Sequence, residues 1–232
     1  MTSILDRPVF HALTTKLAAF AVGGSLARRF ATDIGPLAGA GDDTPESLAE
    51  LAALVPADGF LLLLQADPIV LPPDLIAVGQ DPGVQMVAER LSPPALKSRE
   101  HIGRLTASDV PEMIALATLT KPGPFALRTH ELGAFWGVKE GNRLVAMAGE
   151  RLSHDGFTEV SGVCTHPDVR GRGLGRALSA VVATQILDRD EQPYLHAYAS
   201  NTAAIELYES LGFRLRSAMH VARICRQKLN RG

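Results

Sequence analysis

Three alternating glycines, Gly171, Gly173 and Gly175, separate a β-like run (Thr158 to Thr165) from a helix-like run (Leu174 to Leu187). This hand-over from strand to helix constrains the fold most. A glycine turn entering a helix points several backbone N–H groups at one spot, where the positive end of the helix dipole also lies. Glycine supplies positive φ there and lets an anion approach the backbone closely. Arg170, Arg172 and Arg176 add positive charge, so a phosphate or pyrophosphate ligand is expected. Packing alone, with the arginines solvated, is the other reading of the turn. Two nucleotide motifs fail on the residues: no Lys-Ser or Lys-Thr follows as in a P-loop, and the glycines do not take G-x-G-x-x-G spacing.

In a wider frame, Val163-Cys164-Thr165-His166-Pro167-Asp168-Val169-Arg170-Gly171-Arg172-Gly173-Leu174-Gly175 resembles the acetyl-CoA-binding segment of the GNAT N-acetyltransferase superfamily. Arg170, Gly173 and Gly175 fill that segment's Arg-x-x-Gly-x-Gly places. Asn201 to Phe213 is similar to the family's downstream helix, with Asn at its start, Tyr near its end and Gly-Phe opening the next strand. Arg104 to Val110 is similar to the fold's first strand-to-helix passage. The three blocks come in family order over about residues 100–222. The resemblance implies an α/β fold on a mixed sheet and an acetyl-CoA-dependent N-acetyltransferase working by direct attack in a ternary complex. The layout resembles the glycine N-acyltransferase-like branch, with an N-terminal segment before the transferase domain. A non-catalytic CoA-binding or sensory module with the same fold is the competing reading.

The remaining pattern agrees with an α/β chain. Helices are expected over Pro45–Leu54 and Asp109–Leu119, and strands at Phe60–Leu64, 101–106, Phe135–Lys139, Arg143–Arg151 and Tyr194–Ala199. Glu140-Gly141-Asn142 reads as a hairpin turn. Ser92-Pro93-Pro94 and the charged Lys97-Ser98-Arg99-Glu100 mark a linker, which divides the chain into 1–97, an accessory segment or degenerate GNAT-like half, and 98–232, the transferase domain. Strands alternating with helices after the linker argue for a mixed sheet.

A net charge of −2 gives no reason to expect nucleic acid or an anionic membrane as partner. Two cysteines without a disulfide framework, and an N-terminus without an apolar h-region, lead to a cytoplasmic protein as the default expectation. No Cys/His spacing suggests a metal. A homodimer is left open.

Amide formation from an amine and a thioester needs a route for the ammonium proton, a donor for the oxyanion and an acid for the thiolate. By resemblance, Val163, Cys164 and Thr165 would run beside the pantetheine arm, and the amides of Gly171, Arg172, Gly173, Leu174, Gly175 and Arg176 would hold the pyrophosphate. Arg170, Arg172 and Arg176 would contribute side chains or only solvate the surface. The neighbouring strand, Tyr194–Ala199, would splay away to make room for the thioester. Cys164 reads as a small hydrophobe in a central strand rather than a nucleophile.

Glu159 stands 11 residues before Arg170 and matches the base carboxylate of the histone-acetyltransferase branch. With regular alternation it shares a strand face with Ser161 and Val163. An apolar strand should raise its pKa, as a base requires. His154, His166 and His196 are its rivals, and His196, on the splayed strand, is the best of them. Tyr208 lies two helical turns after Asn201 and resembles the family tyrosine facing the CoA sulfur, while core packing is its other role. Asn201 is a natural N-cap and resembles a pantetheine contact. The acceptor side would be shaped by residues 118–132 and 217–221, with Phe125, Phe135 and Trp136 lining a pocket or packing the core. A small-molecule amine or an amino acid is the expected acceptor.

Overall fold

The computed structural model describes residues 3–92 and 102–227, and the linker expected at 92–100 lies outside the described residues from Pro93 onward. The described chain divides into two units. Of the described residues, the first comprises those up to 84, 198–200 and those from 217, and the second 85–92, 102–197 and 201–216.

The first unit is built from α1 (Pro8–Thr14), β1 (Ala21–Gly23), β2 (Ala27–Phe30), β3 (Leu37–Ala40), α2 (Pro45–Leu54) and β4 (Leu61–Gln65). Strands β1, β2 and β3 run antiparallel in turn, then α2 crosses over and returns the chain as β4, parallel to β3. Helix α2 starts where the sequence expects it. Thr44 accepts from the Ser47 amide as N-cap, and Pro45 occupies the first turn, where its missing N–H costs nothing. Leu51, Ala52 and Val55 bury against Ala27, Ala38, Leu61 and Leu63. Two long strands, β5 (Leu75–Val87) and β11 (Arg214–Arg226), contribute residues to both units, and β11 pairs antiparallel with β4 from His220 to Ile224.

The second unit contains β6 (Ile102–Arg104), α3 (Val110–Thr120), β7 (Phe135–Glu140), β8 (Arg143–His154), β9 (Phe157–Thr165), α4 (Leu174–Leu187), β10 (Gln192–Tyr198) and α5 (Thr202–Ser210). Neighbouring strands follow the order β5-β10-β9-β8-β7-β6. The hairpins β7–β8 and β8–β9 are antiparallel, whereas β9 and β10, joined through α4, are parallel. This is the mixed α/β sheet expected from the sequence. Leu178, Val182 and Ile186 of α4 are fully buried, as their helical spacing requires. Phe125 and Phe135 meet edge to face at 5.6 Å, and Phe135 belongs to the apolar cluster of Val110, Met113, Leu116, Met147 and Cys164. Core packing is therefore the role of Phe135, and a Cβ at Gly149 would collide with its ring.

Candidate active site

The glycine turn folds as the sequence suggests. Residues Pro167–Val169 form a single 3-10 turn, Gly171 and Gly173 take φ values of 80° and 76°, and α4 begins at Leu174 with Gly173 as N-cap. Among the described residues no side chain caps this helix. Its first intrahelical bond runs from the Ala177 amide to the Gly173 carbonyl at 3.0 Å, so the amides of Leu174, Gly175 and Arg176 lie ahead of it and face out of the helix end. Gly171 and Gly173 need glycine for their positive φ. Gly175 does not: a Cβ there would meet only ordinary contacts, at 3.7 to 3.8 Å, with Thr165, Leu207 and Val163.

The arginines divide. Arg170 donates from Nε to the Thr165 carbonyl at 3.4 Å. Arg172 pairs with Glu140 at 2.7 Å on the open surface. Arg176 donates to Oγ of Ser210 at 3.0 Å and to its carbonyl at 3.1 Å, so it supports the C-terminal end of α5.

Beside this turn the sheet forks. The parallel ladder between β9 and β10 holds Phe157, Thr158 and Glu159 against Gln192, Pro193 and Tyr194. Beyond Glu159 and Tyr194 the two strands share no further pair among the described residues, so Val163, Cys164 and Thr165 offer an unpaired backbone edge toward β10. A second irregularity lies on the β8 side. Ser161 faces Gly149 and Cys164 faces Met147, which leaves one extra residue in β9. Gly162, with φ of 64°, absorbs the bulge. The expected alternation is thereby corrected: Cys164, not Val163, follows Ser161 on the strand face. The Cys164 side chain packs into the core with Met113 and Phe135, and burial pushes its thiol up to about 11.

Glu159 sits at the fork and is 1% exposed. Its expected electrostatics are reversed. Burial acts to raise the carboxyl pKa, but Arg151 and His196 outweigh it and hold the group at about 2. Arg151 grips the carboxylate with two bonds of 2.8 Å from Nε and a terminal nitrogen, and His196 Nδ1 lies 2.7 Å from Oε1. Near neutral pH Glu159 is therefore a fixed anion. Arg151 reaches Glu159 because the register shifts between Glu150 and Ser153; regular pairing from the hairpin end would set Leu152 opposite Glu159, so the ion pair was hidden from the sequence. His196 continues to Gln85 Nε2 at 2.9 Å, and Gln85 Oε1 accepts from Arg216 at 2.7 Å. Gln85 and Arg216 carried no local sequence signal. The two rival histidines lie elsewhere. His154 is buried with its Nε2 3.1 Å from the Tyr194 hydroxyl, and His166 accepts from the Asp168 amide.

On α5, Asn201 is the N-cap, accepting from the Ala204 amide at 3.3 Å. Tyr208 is buried at 8% exposure with its ring edge-on to Phe213. Burial, reinforced by the negative charge of Glu159, raises its hydroxyl to about 12. Tyr208 therefore keeps its proton at any physiological pH. Among the described residues no group of three or more His, Cys, Asp or Glu could hold a metal ion, and no helix is long and apolar enough to cross a membrane.

A mixed sheet that forks beside a glycine-led helix end is the layout that the resemblance of the sequence implies, and comparison with known proteins gives the class. The FR47-like protein family matches residues 135–222, from β7 into β11. Over 98% of this chain and 100% of the other, the fold superposes with a TM-score of 0.90 and 41% identity on a protein of Novosphingobium aromaticivorans described as an acetyltransferase of the GNAT family. A GCN5-related N-acetyltransferase from Kribbella flavida shares the fold at a TM-score of 0.63 and 20% identity, covering 96% of each chain. A stretch of 56 residues is 46% identical to the mycothiol acetyltransferase of Thermobispora bispora; it spans 24% of this chain and 19% of the length of that curated relative. The chain belongs to the GNAT family of acetyltransferases.

Proposed function

We propose that this protein moves an acetyl group from acetyl-CoA to the primary amine of a small molecule or amino acid, by direct attack in a ternary complex. The observation that carries the reading is the fork. An unpaired edge of β9 begins at the point where the ladder to β10 ends, and it leads to a helix N-terminus that no side chain among the described residues caps. Such an edge can bond an extended pantetheine arm as an added strand would. The amides of Gly171 to Arg176 suit a pyrophosphate, and the room left at Gly175 fits a ligand passing close to the backbone.

Acetyl-CoA supplies the activated acyl group as a thioester. The residues of the chain hold and orient it and move protons. Tyr208 keeps its hydroxyl proton available for a thiolate leaving group, and the amide of Val163, beside the bulge, is the oxyanion donor. Asn201 fixes the start of the helix that carries Tyr208. Glu159 works as a permanent anion that organises the fork, not as the group that takes up the ammonium proton.

The N-terminal unit supports the assignment of the donor site to α4. Its β2–β3–α2–β4 connection repeats β8–β9–α4–β10, with an antiparallel pair, a crossover helix and a parallel return. It reads as a degenerate half of the same fold. At α2, however, Thr44 caps the helix, Asp42 accepts from Thr44, and Asp43 pairs with Arg7, so the chain's own oxygens occupy the place an anion would take.

A panel of amines and amino acids incubated with acetyl-CoA, read by release of free thiol, tests the proposal. At least one primary amine is expected to release thiol in step with its own acetylation. Acetyl-CoA binding with no release across a broad panel would reject the reading.

A further inference from the structure

Five polar side chains of the second unit form one continuous chain, Arg151–Glu159–His196–Gln85–Arg216, and its donors and acceptors can be assigned from one end. Arginine has donors only, so the atom of Gln85 that meets Arg216 at 2.7 Å is the amide oxygen. The Gln85 atom facing His196 at 2.9 Å is then the NH2 group, which only donates. His196 Nε2 must therefore accept, and its one ring proton lies on Nδ1, pointing at Glu159 over 2.7 Å. A second ring proton on Nε2 would oppose the Gln85 amide. Turning that amide to relieve the clash would set its NH2 group against Arg216.

We infer that Gln85 and Arg216 are positioning residues that lock His196 as the neutral, Nδ1-protonated tautomer and so keep Glu159 an unshared anion at the fork of β9 and β10. Side chains from five strands take part. Arg151 comes from β8, Glu159 from β9 and Tyr194 from β10, its ring edge-on to His196 at 5.5 Å; Gln85 comes from β5 and Arg216 from β11. Gln85 is fully buried, so no solvent competes for its amide. The lock has a consequence for turnover, which rests on the function proposed above. With Nε2 capped by Gln85 and Glu159 held by Arg151, neither group receives the proton of the acceptor ammonium. The acceptor then enters as the free amine, or sheds its proton to water.

The test is long-range 1H–15N correlation NMR on histidine-labelled full-length protein at pH 7, without substrate. The wild type is expected to show His196 with a protonated Nδ1 and a bare Nε2. Arg216→Lys, which still presents donors only, should retain this pattern. Gln85→Glu, whose carboxylate only accepts, should produce a doubly protonated ring. A wild-type proton on Nε2, or a singly protonated ring in Gln85→Glu, would overturn the lock; if Gln85→Glu does not fold, the wild-type spectrum alone decides. In turnover, the acid limb of kcat/KM should move with the basicity of the amine across a series of acceptors. A limb fixed at one pH for all acceptors would show a protein base and contradict the inference. Absence of turnover with any amine would count against the proposed function and leave the tautomer result standing.

Discussion

Replacing Glu159 by Gln should cost stability in a way that depends sharply on pH. The wild-type carboxyl falls from an ordinary 4.5 to about 2, a drop worth about 3 kcal/mol. A second route gives a similar figure, since removing one partner of a buried ion pair costs about 3–5 kcal/mol through the charge left behind. The Arg151 side chain is 13% exposed, and some water relief places the expected loss at the lower end. The sign follows from a depressed pKa. Glu159 contributes its full stabilisation above about pH 4.5 and loses it as pH falls through about 2. Denaturant titrations of both proteins between pH 7 and pH 2 should therefore show a gap of about 3 kcal/mol at pH 7, closing below pH 4.5 as the wild-type carboxyl takes up its proton. A gap below about 1 kcal/mol at pH 7, or one that stays constant down to pH 2, would refute the reasoning, because Glu159 would then not be an ion held by Arg151 and His196.

Three further outcomes follow from the site. Gly175→Asp places a carboxylate in the first turn of α4, where an added Cβ meets only ordinary contacts; the melting temperature should stay within a few degrees while acetyl-CoA affinity falls at least about tenfold, by calorimetry. Unchanged affinity would place the pyrophosphate elsewhere. Tyr208→Phe should lower kcat by about 10²-fold or more with acetyl-CoA affinity retained, and an unaltered kcat would remove the hydroxyl from the mechanism. Cys164→Ala should cost about 1 kcal/mol of stability and leave kcat nearly intact, and mass spectrometry during turnover should find no acetylated enzyme. A covalent acetyl adduct on wild-type Cys164 would count against direct attack.

Much of the second unit could be read from the sequence because local signals and tertiary structure agree there. Helix α4 begins at Leu174 and ends at Leu187 as its apolar spacing requires, and α2 runs from Pro45 to Leu54 behind its Thr44 cap. Elsewhere local signals conflict with the fold, and tertiary pairing decides. Strand β5 carries no strand signal of its own, because Gly79 and Asp81-Pro82-Gly83 look like breakers, and its strand state is imposed by its neighbours. Strands β1, β2 and β3 have only three or four residues each, too few to show a period of two. The alternation through β9 misled because one glycine bulge shifts every residue after it. The charge state of Glu159 misled because burial is visible in an apolar strand, whereas the partners that outweigh it are not. Arg151 lies across a hairpin, and the lock on His196 reaches back 111 residues to Gln85.

The central claim, that the donor lies along β9 and at the start of α4, is tested most directly by titrating acetyl-CoA into 15N-labelled protein. The amides of Val163 to Thr165 and of Gly171 to Arg176 should shift together and saturate with one affinity, while the first turn of α2 stays in place. Saturable shifts centred on α2, or none at the start of α4, would contradict the account.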